Sequence, residues 1–173
     1  MLRLTALFLL TVALVSFKAD RSSPRIEWIS LEAAEKMVAA TRQPVLIDLY
    51  TDWCGWCKVM DKKTYTNKDL AAYVQEKYYA VKINAETKAA INWKGRTFNF
   101  SSDYKANEFA IYVTGGRLSF PTTVIIPADG SAPQAIPGYL KPKEMELFLK
   151  YYGEQFEKRM SVDEYMKQAK PNW

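Results

Sequence analysis

The chain holds two cysteines, Cys54 and Cys57, in the segment Trp-Cys-Gly-Trp-Cys-Lys at residues 53–58. Cysteine pairs at this spacing serve as zinc ligands, haem attachment points, structural disulfides or redox-active dithiols. A structural zinc site needs four ligands, usually cysteine or histidine, and the sequence has no histidine and no other cysteine. Haem attachment needs a histidine directly after the second cysteine, where Lys58 stands. We therefore expect neither a metal nor a haem at this pair.

Two interpretations remain for the cysteine pair. The pair is either a structural disulfide or a redox-active dithiol. A disulfide between positions three apart constrains the unfolded chain little, so the structural interpretation is the less favoured of the two. The dipole and free amide groups at the start of a helix favour the thiolate form of a cysteine located there. A helix is predicted to begin at Cys54, so we expect Cys54 to be the exposed, attacking thiolate. Attack by Cys54 on a substrate disulfide would give a mixed disulfide between the two proteins. Cys57, one turn later, would be buried and would resolve that mixed disulfide.

The segments around the pair alternate between strand and helix patterns. Residues 45–50 form an apolar, β-rich run typical of a buried strand, interrupted by one carboxylate, Asp48. A helix is predicted from Ser30 before this strand, and Thr66 with Asp69 has capping-box spacing for another helix after it. A strand is predicted at residues 79–84, which completes a β-α-β order.

Residues 87–104 break this pattern and are interpreted as an insertion, whose aromatic residues either recognise a partner or hold a long loop on the domain surface. After it we expect a helix ending near Gly115, a hairpin, and an amphipathic helix over residues 143–152. Capping-box spacing at Ser161 and Glu164 predicts a further short helix within a C-terminal extension at residues 153–173.

Residues 48–58, Asp-Leu-Tyr-Thr-Asp-Trp-Cys-Gly-Trp-Cys-Lys, resemble the active-site strand and helix of the thioredoxin family. Residues 81–84 are similar to the next strand of that family, Phe-Pro-Thr at 120–122 to its cis-proline loop, and Gly138 with the following helix to its closing element. The resemblance covers most of residues 26–152. It implies an α/β thioredoxin fold, a central mixed sheet flanked by helices, with the insertion at 87–104 before the cis-proline loop.

The resemblance also implies roles for individual residues. Asp48 would lie under the dithiol and assist proton transfer to Cys57, and its burial would suit a general base near neutral pH. Lys82 occupies a position where the family has a lysine, so Asp48 is either that base, a structural partner of Lys82, or both. Pro121 would be cis, with Phe120 offering main-chain hydrogen bonds to a substrate segment. Without the resemblance, a trans proline opening an edge strand would be expected.

Three further substrate-contact candidates are Trp53, Gly55 and Trp56. Trp53 is either a substrate platform or packing that closes the site. Trp56 stands where thioredoxins usually have proline and oxidising relatives often have histidine. Because histidine stabilises the thiolate and makes such an enzyme more oxidising, its absence favours a reductant.

The start of the chain predicts export. Arg3 precedes an uncharged apolar stretch at residues 4–17, which is followed by a polar segment. This pattern is typical of a signal peptide over residues 1–19, or of an N-terminal membrane anchor, rather than of a buried helix. We therefore expect a location in the periplasm or on the outer face of the cytoplasmic membrane.

The charge of the chain limits the classes of partner that we expect. The net charge of +5 is mild and shows no basic run, which argues against nucleic acid. The predicted activity is that of a thiol:disulfide oxidoreductase acting as a reductase of protein disulfides, with no cofactor beyond the Cys54–Cys57 disulfide. A membrane electron-donor reductase is its implied partner. An oxidase or isomerase, or a redox-independent client-binding or assembly module, remains an alternative.

Overall fold

A computed structural model describes residues 24–173 of the chain. The predicted leader at residues 1–19 and the possible tether at residues 4–17 lie outside the described residues. Within residues 24–173, no helix combines the length and the apolar character that a membrane crossing requires.

The described residues form nine strands, six α-helices and one 3₁₀ turn at Phe156–Lys158. The strands are β1 (Trp28–Ile29), β2 (Val45–Tyr50), β3 (Tyr79–Asn84), β4 (Ile91–Trp93), β5 (Arg96–Phe98), β6 (Phe100–Ser101), β7 (Ala106–Asn107), β8 (Thr122–Ile126) and β9 (Gln134–Pro137). The helices are α1 (Leu31–Thr41), α2 (Gly55–Lys63), α3 (Lys68–Lys77), α4 (Glu108–Val113), α5 (Pro142–Gly153) and α6 (Val162–Gln168).

The central sheet is mixed, with five strands in the order β1-β3-β2-β8-β9. Strands β1, β3 and β2 run parallel, and β8 and β9 add antiparallel pairs at the other side. The predicted thioredoxin fold, a mixed sheet flanked by helices, is confirmed. Strand β2 is central, and in its register Asp48 lies between Lys82 on β3 and Thr123 on β8.

Each face of the sheet packs against its own set of helices. Because side chains alternate along a strand, β2 sends Ile47 to one face and Leu46 and Asp48 to the other. The first face, called the α1/α4 face here, packs on Leu31 of α1 and Phe109 of α4. The second, the α2/α3/α5 face, packs on side chains of three helices: Met60, Leu70, Val74, Met145 and Leu149.

The segment at residues 87–104 contributes to the core. It forms the β4–β5 hairpin and then β6, which pairs with β7. Trp93 and Phe98 are buried on the α1/α4 face, where Phe98 contacts Phe109 edge to face at a centroid distance of 5.3 Å. Trp93 and Phe98 therefore hold this segment on the domain, as one of the two interpretations predicts, and they do so from within the core.

The predicted cap of α3 is wrong by one residue. The Asn67 side chain, not that of Thr66, accepts the Leu70 amide hydrogen bond at 2.9 Å. The Thr66 hydroxyl instead donates to the Lys62 carbonyl at 2.7 Å, because Thr66 still belongs to the turn that ends α2. The capping box predicted at Ser161 and Glu164 is confirmed at the start of α6.

Candidate active site

The two cysteines form a disulfide at the start of α2. The Sγ–Sγ distance is 2.07 Å, and the Cα atoms are 5.3 Å apart. Cys54 is the N-cap of the helix, and its Sγ accepts the Cys57 amide hydrogen bond at 3.1 Å. The Cys54 amide donates to the Thr51 carbonyl at 3.2 Å, which closes the turn between β2 and α2. The predicted helix start at Cys54 is confirmed.

The predicted exposure of Cys54 is wrong for the disulfide form. Cys54 is 3% exposed and Cys57 is 4% exposed. The reason is that the bond ties the Cys54 sulfur to buried Cys57, while the same sulfur faces the first amides of α2. Exposure in this state therefore does not distinguish the attacking sulfur from the resolving one.

Two aromatic pairs flank the disulfide. Trp53 contacts Phe120 edge to face at a centroid distance of 5.9 Å, and its indole N–H donates to Glu86 Oε1 at 2.9 Å. Trp56 packs against Tyr139 at 5.5 Å. Both indoles remain more than 60% exposed, so each is packed on one side and open to solvent on the other. Sequence reasoning missed Glu86 and Tyr139, which come close only through the fold.

The cis-proline loop adjoins the Trp53 side of the site through Phe120. The Phe120–Pro121 peptide bond is cis, as the resemblance implies. The Pro121 carbonyl accepts the Gly138 amide hydrogen bond at 2.8 Å, and Gly138 has the left-handed φ of +98° that favours glycine. Gly55, by contrast, is exposed and has no atom within 4 Å of a Cβ built there, so the fold does not require a glycine at that position.

A buried ion pair lies on the α2/α3/α5 face of the sheet. Asp48 is 2% exposed, and its Oδ2 lies 3.2 Å from Lys82 Nζ. Lys82 also binds Asp61 on α2. Asp61 comes four positions after Cys57, so both belong to the same helix face, and the shared lysine links Asp61 on this face to Asp48. Sequence reasoning missed Asp61, although its helical spacing from Cys57 was an available signal.

Burial and charge set the protonation of this pair. Burial raises the pKa of Asp48 from 3.8 to about 6, and the charge and hydrogen bond of Lys82 oppose the rise only in part. Burial lowers the pKa of Lys82, but the hydrogen bond to Asp61 and the charge of Asp48 outweigh it and raise the pKa overall. A carboxyl of this kind can exchange a proton near neutral pH while its lysine partner stays charged.

Comparison with known proteins defines the family. The family model for the thioredoxin-like domain matches residues 31–153, and the chain belongs to this family. No curated protein matches the sequence.

Three solved structures are similar in fold. The DsbH oxidoreductase is 14% identical, with 87% of this chain and 95% of that chain covered and a TM-score of 0.55. A thioredoxin-fold protein from Helicobacter pylori is 16% identical, covering 73% and 83%, with a TM-score of 0.54. A thioredoxin from Thermus thermophilus is 14% identical, covering 83% and 97%, with a TM-score of 0.51. Family and disulfide together support thiol–disulfide oxidoreductase chemistry.

Proposed function

We propose that the protein reduces disulfide bonds in client proteins through the Cys54/Cys57 dithiol. The observation that carries this proposal is the disulfide in the first turn of α2, in a thioredoxin-like domain whose preceding strand, β2, holds the buried carboxyl of Asp48. Asp48, Lys82 and Asp61 link the sheet to the helix that holds the cysteines. Such a carboxyl suits proton transfer in thiol exchange better than it suits stability, because burial of a charge is costly.

The proposed reaction proceeds in two exchanges. The Cys54 thiolate attacks one sulfur of the client disulfide, which forms a mixed disulfide and releases the other client sulfur as a thiolate. Asp48 takes the proton from the Cys57 thiol, and the Cys57 thiolate attacks the Cys54 sulfur. The Cys54–Cys57 disulfide forms, the second client thiolate leaves, and each client thiolate takes up a proton. Two electrons have then passed from the dithiol to the client.

The proposed client-binding surface consists of the cis-proline loop and of Trp53 and Trp56, which we call the aromatic rim. Trp53 and Trp56 each present an open indole face beside the disulfide, and Phe120 and Pro121 lie next to Trp53. Aromatic side chains of this kind supply large contact areas at binding surfaces. A client segment would lie along this rim with its disulfide above Cys54.

The cycle needs an electron donor and, by the predicted leader, takes place outside the cytosol. A membrane reductase that passes electrons to exported thioredoxin-like domains is the proposed partner. Fusion of residues 1–25 to a reporter enzyme that folds only outside the cytosol tests the location. An active fusion supports export to the periplasm or to the outer face of the cytoplasmic membrane, and a reporter retained inactive in the cytosol contradicts it.

The reductase activity is tested by reduction of insulin disulfides and by measurement of the reduction potential. We expect a potential near that of thioredoxin, about −270 mV, rather than near the value of about −120 mV typical of a strong oxidant. Cys54→Ser should abolish insulin reduction. Cys57→Ala should accumulate mixed disulfides with clients, because nothing then resolves them, and mass spectrometry of the trapped species would identify the clients.

Two outcomes would contradict the proposal. Client processing that survives Cys54→Ser would favour a redox-independent client-binding module, for which the exposed indoles would suffice. A strongly oxidising potential without insulin reduction would favour an oxidase or isomerase that uses the same disulfide.

A further inference from the structure

Three polar side chains lie in one row across the buried α2/α3/α5 face. Asp48 is in register with Lys82 on one side and Thr123 on the other, so all three project towards the same helices. Asp48 is 2% exposed and Thr123 is fully buried. The preceding row on this face is apolar, with Leu46 in register with Ala80 and Ile125.

A fourth polar side chain, Tyr65, faces this row from the turn after α2. Its amide donates to the Met60 carbonyl at 3.1 Å, and its ring packs edge to face on Trp28 at a centroid distance of 5.0 Å. The same ring lies 5.9 Å from Lys82 Nζ, the atom that binds Asp48. Tyr65 is thus held next to the ion pair by contacts on two sides.

Three polar atoms in this cluster are buried and have no hydrogen-bond partner of regular geometry among residues 24–173: Asp48 Oδ1, Tyr65 OH and Thr123 Oγ1. Buried polar groups almost always have partners, because an unpaired one loses its hydration without compensation. One of these atoms is the free carboxylate oxygen of Asp48, and the other two are hydroxyl oxygens close to it. Because the other carboxylate oxygen is already bound to Lys82, this arrangement makes a site for a proton rather than a packing defect.

The hydroxyl groups match both protonation states of Asp48. A hydroxyl can rotate to donate a hydrogen bond to a carboxylate or to accept one from a carboxylic acid. Lys82 can only donate, so it cannot accept a hydrogen bond from the O–H of the acid form. Burial raises the pKa of Asp48, and a hydrogen bond from the nearby Tyr65 hydroxyl opposes this rise. Burial and the charge of Asp48 raise the pKa of Tyr65 well above its usual value, so the phenol stays protonated.

We propose that Tyr65 and Thr123 are positioning residues for the proton on Asp48 Oδ1. The Tyr65 hydroxyl donates to the carboxylate and accepts from the acid as the proton arrives and leaves, and the Thr123 hydroxyl orients that of Tyr65. This inference rests on the proposed reaction, in which Asp48 takes the proton of Cys57. Among residues 24–173, the other titratable groups that act on Asp48 are Lys82 on β3 and Asp61 on α2, while β8 contributes the Thr123 hydroxyl.

The test is the titration of the Asp48 carboxyl by carbon-13 NMR in the disulfide form, where no thiol interferes. The Asp48 resonance is identified by its loss in Asp48→Asn. Tyr65→Phe should raise the titration midpoint by about one pH unit, because the carboxylate loses a donor. Thr123→Val, which keeps the shape of the side chain, should raise it in the same direction.

Tyr78→Phe is the matched control. The Tyr78 hydroxyl is also buried and donates to the Leu149 carbonyl at 2.6 Å, away from the polar row. Its removal should lower the unfolding free energy and leave the Asp48 midpoint unchanged. A purely structural role for Tyr65 would give the same result as the control.

A second readout follows the reaction. In the reduced protein, the pH profile for resolution of a mixed disulfide should move upward with Tyr65→Phe by the same amount as the carboxyl midpoint. An unchanged Asp48 midpoint in folded Tyr65→Phe and Thr123→Val would overturn the inference. The titration requires no client, so a shifted midpoint together with a wild-type protein that reduces no disulfide would support the hydroxyl contacts and overturn the proposed function alone.

Discussion

The two faces of the central sheet use the same strands for different purposes. On the α1/α4 face, β2 contributes Val45, Ile47 and Leu49 to a continuous apolar core. On the α2/α3/α5 face, the same strand contributes Asp48, whose carboxylate is buried with Lys82. One face therefore supplies stability, and the other buries a titratable group at some cost in stability.

The apolar face should show the largest effect on stability. Phe98→Ala should lower the unfolding free energy by about 3–5 kcal/mol, because removal of the buried ring that packs against Phe109 leaves a cavity. Urea unfolding measures this change, and the reduction potential should stay the same. Tyr104→Ala, in the same segment but exposed, should change stability by less than about 0.5 kcal/mol. A loss below about 1 kcal/mol for Phe98→Ala would mean that residues 87–104 contribute little to the core.

The polar face should respond to pH in the opposite sense to an ordinary surface ion pair. Below about pH 4 both folded and unfolded states hold the Asp48 proton, and between about 4 and 6 only the folded state does. Stability therefore falls as the pH rises through this window. Asp48→Asn should raise the unfolding free energy by about 2–3 kcal/mol at pH 8 and have no such effect below pH 4.

Urea unfolding of the disulfide form at both pH values measures the Asp48→Asn effect. Asp52→Asn is the matched control, since the Asp52 side chain is exposed, and it should leave the pH dependence intact. An equal effect of Asp48→Asn at pH 4 and pH 8 would show that the Asp48 carboxyl does not titrate between them in the folded protein.

The rim of the site should affect the redox equilibrium without affecting stability. Trp56→His should raise the reduction potential by about 30 mV, equivalent to ~1.4 kcal/mol, because a histidine stabilises the thiolate of the reduced form. The unfolding free energy should change little, since Trp56 is 61% exposed. Trp56→Phe keeps an aromatic ring and introduces no charge of the kind that histidine can carry, so it should leave the reduction potential unchanged. Equal potentials for Trp56→His and wild type would remove the sequence-based argument for a reductant.

Local patterns in the sequence were sufficient for much of the fold. The buried strand with its carboxylate, the helix starting at Cys54 and the cap at Ser161 each depend on residues within a few positions of one another. The shift from Thr66 to Asn67 at α3 shows the limit of such patterns. Both residues are good caps, and only the place where α2 ends decides between them.

The sequence by itself determined that the cysteine pair is suited to thiol–disulfide exchange. The features that indicate this are the two cysteines three positions apart, the absence of histidine, and the family resemblance, which implies that Asp48 lies near Cys57. The tertiary structure decided what surrounds them. The placement of Asp61 on Lys82, and of Tyr65 and Thr123 around Asp48, joins residues from separate elements. Strand register and helix packing bring these groups together. Because register and packing depend on the burial of side chains distant in sequence, no local pattern predicts which of these groups meet.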